Sequence, residues 1–184
     1  MCGLCGIVRF GGLDPHAATG VEAMLSALAH RGPDDTGVAA YEQARLGFVR
    51  LAIRALDDGR QPLVEASGVI VVCNGEIDNH RELRAWLLAR GIPVPCAADV
   101  AVIPALYRAL GEAFIERLEG CFALAVWDPA RGRLLLGRDR CGERPLFFAR
   151  TPAGVDFASE LAALASCPLE PRALAIEPLH GFVE

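Results

Sequence analysis

The second half of the chain carries four short strand-like runs in succession, at 121–128, 131–137, 146–150 and 155–158. Two of the links, Asp128–Gly132 and Thr151–Gly154, have the composition of hairpin turns. Strands joined by such short links pair antiparallel, because a parallel pair needs a crossover of a dozen or more residues. Further strand-like runs lie at 2–10, 37–41, 44–55 and 69–73. Helical spacing is confined to blocks between these groups. Val21, Met24, Leu25 and Leu28 fall at i, i+3, i+4 and i+7 within a helix predicted over 15–29. Asn79 is placed to cap a helix through Arg90, stopped by Gly91 and Pro93. Asp99 is placed to cap another over 100–110, with Pro104 early enough to be tolerated and Gly111 just beyond. A short helix is predicted near 161–165, followed by a weakly patterned tail. Grouped strands with helices in blocks predict an α+β domain of antiparallel sheets covered by helices, and argue against a doubly wound parallel sheet.

At 184 residues and 53% hydrophobic content, the chain is expected to form one packed domain over 1–184. No apolar run reaches membrane-spanning length and no basic segment precedes a hydrophobic one. A cytoplasmic location is therefore expected. The net charge is −5 and the cations are scattered arginines, which predicts no nucleic-acid partner and no membrane partner. Seven cysteines, an odd number without a secretory signal, read as free thiols. Cys73 and Cys121 lie in apolar runs, where a cysteine serves as a small core residue.

Cys2 stands apart from the others. Removal of Met1 would leave it with a free α-amine and a thiol on one residue. An α-amine titrates near ~7.7–8.0 and a thiol near ~8.5, so one residue would supply a base and a nucleophile. Cys2 also opens a C-x-x-C with Cys5. A redox or zinc reading of that pair is disfavoured. Residues three apart in a strand point to opposite faces, and no second ligand pair accompanies them. Asn74-Gly75-Glu76 follows the apolar run 69–73. It reads either as a tight turn or as a side-chain amide beside an unobstructed backbone N–H, the makings of an oxyanion hole. Arg50 ends a strand-like run, as a solvated edge or a carboxylate-binding fork. Glu76 and Asp99 are candidates to receive an ammonium group.

Together these residues resemble the class II glutamine amidotransferases, the Ntn-type glutaminase domains. Within them the chain is most similar to the N-terminal domain of asparagine synthetases. The resemblance is carried in order by Met1-Cys2-Gly3, Gly6-Ile7, His30-Arg31-Gly32-Pro33-Asp34, Arg50-Leu51-Ala52-Ile53 and Gln61-Pro62-Leu63. It continues through Asn74-Gly75-Glu76-Ile77, Asn79-His80, Asp99, Gly120-Cys121-Phe122-Ala123, Gly137-Arg138-Asp139, Gly142, Pro145-Leu146 and Ala158-Ser159-Glu160. It implies a four-layer αββα sandwich of two antiparallel sheets and hydrolysis of L-glutamine to glutamate and ammonia. It implies that Cys2 is the nucleophile, with its α-amine as base, and that Asn74 and the Gly75 N–H form the oxyanion hole. Arg50, with Leu51 and Ile53 of the same motif, would bind the glutamine carboxylate end. Glu76 and Asp99 would hold the ammonium. No metal or cofactor is implied.

Some positions depart from the family pattern. Ala98 and Ala101 flank Asp99 where a hydroxyl and an acidic residue are usual, Asp78 replaces an aromatic, and Phe48 stands where His is common. Arg140, Cys141, Glu143 and Arg144 depart from the usual Gly-flanked Pro-Leu pattern. No Ser-Gly-Gly-x-Asp phosphate loop is present. The ammonia is therefore expected to pass to a separate synthetase or transferase subunit, or to a domain missing from these residues. The alternative expectation is a weak or inactive binding or scaffold subunit of the same fold.

Overall fold

The computed structural model describes residues 1–53 and 58–167. In chain order the elements are β1 (Gly3–Arg9), α1 (Pro15–Leu28), β2 (Asp35–Tyr41), β3 (Ala44–Arg50), β4 (Leu63–Val64) and β5 (Ile70–Ile77). There follow α2 (His80–Leu88), α3 (Val102–Leu110), β6 (Gly120–Asp128), β7 (Arg133–Arg138), β8 (Phe147–Thr151), β9 (Gly154–Ala158) and α4 (Leu161–Ser166). Short 3-10 turns lie at Ala29–Arg31, Asp99–Ala101 and Gly111–Arg117. One sheet has the order β2-β3-β1-β9-β8 and the other β4-β5-β6-β7, with antiparallel pairing between all neighbouring strands.

The period-2 alternation of the strands sorts the apolar residues into three cores. Leu4 and Val8 of β1, Leu46 and Phe48 of β3, Ile70 and Val72 of β5, and Trp127 and Phe157 meet between the two sheets. Cys5 and Ile7 of β1 point the other way, beneath Val21, Met24 and Leu28 of α1 and Leu164 of α4. Val71, Cys73 and Ile77 of β5 pack on the outer face of the second sheet against Leu83 and Leu87 of α2 and Ile103 and Leu106 of α3. The result is the αββα order of layers. Strands covered on both faces lose polar alternation, which is why 70–73 reads as an unbroken apolar run. At the start of α1, Asp14 accepts a hydrogen bond from Ala17 N at 2.9 Å and Pro15 opens the first turn.

Several local expectations are corrected. Asn74-Gly75 makes no turn: β5 runs on to Ile77, with Asn74 opposite Ala123 and Gly75 opposite Phe122 on β6. A full partner strand outweighs the local turn preference, and Gly75 takes the strand at a φ of 150°. Asn79 precedes α2 without capping it, since its side chain bonds the Arg117 carbonyl and the Glu119 N–H instead. Asp99 opens a 3-10 turn and its carboxylate serves Ile77 N, so α3 begins only at Val102. The strand predicted over 44–55 ends at Arg50, and the part of that prediction on 54–55 lies outside the described residues. β4 and the 3-10 turn at Gly111–Arg117 carry too little periodicity to be read from sequence. The tail beyond Cys167 also lies outside the described residues. Among the described residues, no helix is long and apolar enough to cross a membrane.

Phe157 is fully buried between the sheets, and its ring fills the space a side chain on Gly6 would need. Phe157→Ala is expected to lower unfolding stability by about 3–5 kcal/mol. Urea titration checks this: the midpoint falls while the slope stays near that of the parent chain.

Candidate active site

The alternation that builds the central core also gathers the site. Cys2 is in phase with Leu4, Arg50 with Leu46 and Phe48, and Asn74 and Glu76 with Ile70 and Val72. At the ends of these strands the apolar layer gives way to a cavity of about 120 Å³. Its walls include all the residues that the sequence singled out: Cys2, Arg50, Leu51, Ile53, Asn74, Gly75, Glu76 and Asp99. They come from the residue that leads into β1, the end of β3 and the segment after it, β5, and the 3-10 turn at Asp99–Ala101.

Cys2 is held from two sides. Leu51 N donates to the Cys2 Sγ at 3.3 Å, and the segment carrying Leu51 is fixed by Ala52 N donating to Asp34 Oδ2 at 2.7 Å. Asp34 N in turn donates to the Arg50 carbonyl at 3.0 Å. On the other side, Arg31 Nε donates to the Cys2 carbonyl at 2.9 Å, and Arg31 Nη1 donates to Glu160 at 2.7 Å. Gly32 sits where any Cβ would press on the backbone of Arg50. The His30–Asp34 segment is thus a clamp on the chain start. Glu160 follows Ser159, whose hydroxyl accepts from Leu4 N at 2.9 Å, so the clamp is anchored in the first sheet.

The other thiols near this region are not competitors. Burial pushes the Cys5 thiol up to about 12 and the Cys73 thiol upward as well, so both are neutral at physiological pH. Cys2 is half-buried and opens on the cavity. Cys2 and Cys5 lie on opposite sides of β1, as the strand period requires. Cys121 differs from expectation. It is half-buried, and Arg144 Nη2 donates toward its Sγ at 3.2 Å.

Asn74 is 2% exposed, and its Nδ2 is buried with no hydrogen-bond partner among the described residues. An unmade hydrogen bond to a buried amide is costly, and a donor lining a cavity is the place where a ligand oxygen recovers that cost. Gly75 tolerates no side chain, because a Cβ there would strike the Cys121 carbonyl oxygen across the ladder. The strand leading to Asn74 is fixed on its open edge by Gln61. Its Nε2 donates to the Cys73 carbonyl at 2.9 Å and its Oε1 accepts from Cys73 N at 2.7 Å. Arg50 is 6% exposed, a wall of the cavity and not a solvated edge. Asp99 accepts from Ile77 N at 2.9 Å, which ties its turn to the end of β5. Among the described residues, no cluster of three ligating side chains is placed to hold a metal ion.

Sequence reading missed four contributors: Arg31, Asp34, Gln61 and Arg144. The first three lie in segments that carry the family resemblance, but their roles are made by contacts far along the chain. Arg144 stood out only as a departure. Its loop is held by Asp139, which accepts from Phe122 N at 3.2 Å, Glu143 N at 2.9 Å and Arg144 N at 3.2 Å. Burial alone would raise the Asp139 carboxyl, and these backbone donors outweigh it, leaving the group below its ordinary value.

Arg31 hydrogen-bonds Glu160 and holds its carboxyl below the usual glutamate value, with His30 adding in the same sense. A depressed carboxyl contributes stability above its unfolded value, near ~4.3, and loses it as the pH falls through the folded one. Glu160→Gln is expected to lower the melting temperature by about 2–4 °C at pH 7. The gap to the parent chain should narrow as the pH falls below about 4.3 and close only once it has passed the depressed folded value, where Glu160 is protonated in both states. Calorimetry across that range checks it.

Comparison with known proteins identifies the family of the chain. A family model described as a glutamine amidotransferase domain matches residues 1–184. An asparagine synthetase (glutamine-hydrolyzing) of Bacillus subtilis is 35% identical over 175 residues, 94% of this chain and 23% of that protein. Asparagine synthetase B of Escherichia coli is 39% identical over 137 residues, 73% of this chain and 24% of that protein. The chain therefore spans about a quarter of the length of these relatives. Among solved structures, the glutamine phosphoribosylpyrophosphate amidotransferase of B. subtilis superposes with a TM-score of 0.75 at 20% identity, over 90% of this chain and 43% of that one, a likeness of fold. The chain belongs to the glutamine amidotransferase domain family, in its class II, asparagine-synthetase-like branch.

Proposed function

We propose that this domain hydrolyses L-glutamine to glutamate and ammonia through a thioester on Cys2, once Met1 has been removed. The observation that carries the proposal is the buried, unpartnered Nδ2 of Asn74 on the wall of the cavity that Cys2 also lines. A free amino acid is zwitterionic, and the same cavity offers Arg50 for its carboxylate and Glu76 and Asp99 for its ammonium. Leu51 and Ile53 line the approach.

The steps follow from these groups. The Cys2 thiol proton passes to the freed α-amine as sulfur attacks the side-chain amide carbon. The carbonyl oxygen becomes an oxyanion, stabilised by Asn74 Nδ2 and the Gly75 N–H. Collapse breaks the C–N bond, and the ammonium of Cys2 returns its proton to the leaving ammonia. Water then loses a proton to the α-amine and attacks the thioester. A second oxyanion forms and collapses, and the thiolate leaves and is reprotonated, freeing glutamate. The N–H of Leu51, 3.3 Å from Sγ, is placed to donate to the thiolate as it leaves the thioester. The ammonia is passed to a synthetase or transferase acceptor, on a partner subunit or a further domain. Protonated ammonium is a poor nucleophile, so transfer without release to solvent preserves its reactivity.

Cys2→Ala is expected to abolish glutaminase activity while leaving the melting temperature within about 2–4 °C of the parent. Asn74→Ala is expected to lower kcat by about 10²–10³-fold, with a much smaller change in KM, because the amide serves the oxyanion more than the ground state. Steady-state release of glutamate checks both. Undiminished turnover in Cys2→Ala would end the proposal.

A further inference from the structure

Two guanidinium groups lie beside the Met1–Cys2 segment, and among the described residues only one of them is ion-paired. Arg31, on the Cys2 carbonyl, is paired with Glu160, which is itself 3.0 Å from His30 Nε2. Arg144 reaches the same segment off the loop that Asp139 fixes, and both guanidiniums come to the Met1 Sδ, Arg31 Nη2 at 4.0 Å. Arg144 Nη1 lies 3.0 Å from the Met1 Sδ and its Nη2 3.2 Å from the Cys121 Sγ. Its Nε is buried without a partner, and among the described residues it forms no ion pair. A cation that is partly buried and unneutralised is costly to hold, yet its loop is pinned by three backbone donors to Asp139. Besides Cys2, the titratable and charged groups lining the cavity with Arg144 are the neutral thiol of Cys73 and the side chains of Arg50, Glu76 and Asp99, while the Cys121 thiol meets Arg144 from outside the lining.

We infer that Arg144 is a positioning residue for the base of the reaction: its charge faces the α-amine left when Met1 departs and keeps that amine in its neutral, proton-accepting form. This rests on the reading of Cys2 as an amino-terminal nucleophile. A protonated amine beside a fixed cation suffers like-charge repulsion, and the neutral amine does not. At separations of several ångströms and a near-surface dielectric, such repulsion moves a titration by about 0.5–1 pH unit. The benefit falls where it is needed, because an ordinary α-amine is mostly protonated at neutral pH.

The test is the pH dependence of kcat/KM for glutamine in Arg144→Met, Arg144→Gln and Arg144→Lys, using the processed chain. Arg144→Gln retains an amide to meet Cys121 and serves if the methionine variant does not fold. The acid limb should move to higher pH by about 0.5–1 unit in Arg144→Met and Arg144→Gln. Activity should then fall about 3–10-fold near pH 6 and approach the parent value above pH 9. Arg144→Lys should keep the parent limb. An acid limb that coincides with the parent's in both neutral variants overturns the inference. So does a pH-independent rise in KM, which would make Arg144 a substrate-binding group. Cys2→Ala, assayed in parallel, separates the two layers. If it remains active, the nucleophile reading fails; if it is dead and the limb does not move, only the role of Arg144 fails.

Discussion

Two sheets that share one apolar layer must do something with the polar residues at its rim. In this domain Leu4, Phe48, Ile70, Val72 and Phe157 close the layer, and the next residues in phase are Cys2, Arg50, Asn74 and Glu76. Polar side chains in phase with a dry core are costly unless they are hydrogen-bonded or meet a ligand. The central core and the candidate site are therefore one object: the strand alternation that fills the first also aims the second. The family's αββα order supplies the frame, and the proposed chemistry rests on the rim residues.

Rigidity at the rim comes from side chains that hydrogen-bond backbone groups outside their own element, most of them a dozen or more residues away. Gln61 pairs with the backbone of Cys73, Asp34 with Ala52, Arg31 with Cys2 and Glu160, and Asp139 with the loop of Arg144. Catalysis by preorganised donors depends on such supports, because a donor that must reorient at the moment of reaction gives up much of its advantage. The short motifs that run through this family read here as supports of that kind. Only Cys2, Asn74 and Gly75 are proposed to face the reacting amide itself.

Much of this was legible in the sequence where a pattern is local. The antiparallel grouping, the helix at 15–28 and the strand pairs at the end of the chain follow from periodicity and turn chemistry. The gathering of Cys2, Arg50, Asn74 and Asp99 into one cavity was legible only through resemblance, since nothing local brings residues so far apart in the chain together. Asn74-Gly75 shows where local reasoning fails: the pair has turn chemistry, yet a strand partner on β6 holds it extended. Asp99 and Asn79 fail in the same way. Both sit where a cap belongs, and both spend their side chains on more distant backbone groups. Arg144 stood out in the sequence only as a departure from the family pattern, because its place is set by Asp139 and by contact with the chain start, 143 residues away in sequence.

The central claim concerns the state of the chain start in the active protein. Intact-mass analysis of the purified protein, before and after inactivation by the glutamine analogue 6-diazo-5-oxo-norleucine, tests it directly when glutamate release is followed in the same samples. The account predicts that active molecules lack Met1, carry one adduct on Cys2 after treatment, and lose activity in proportion to that adduct. A population that keeps Met1 and hydrolyses glutamine as fast as the processed one would contradict it.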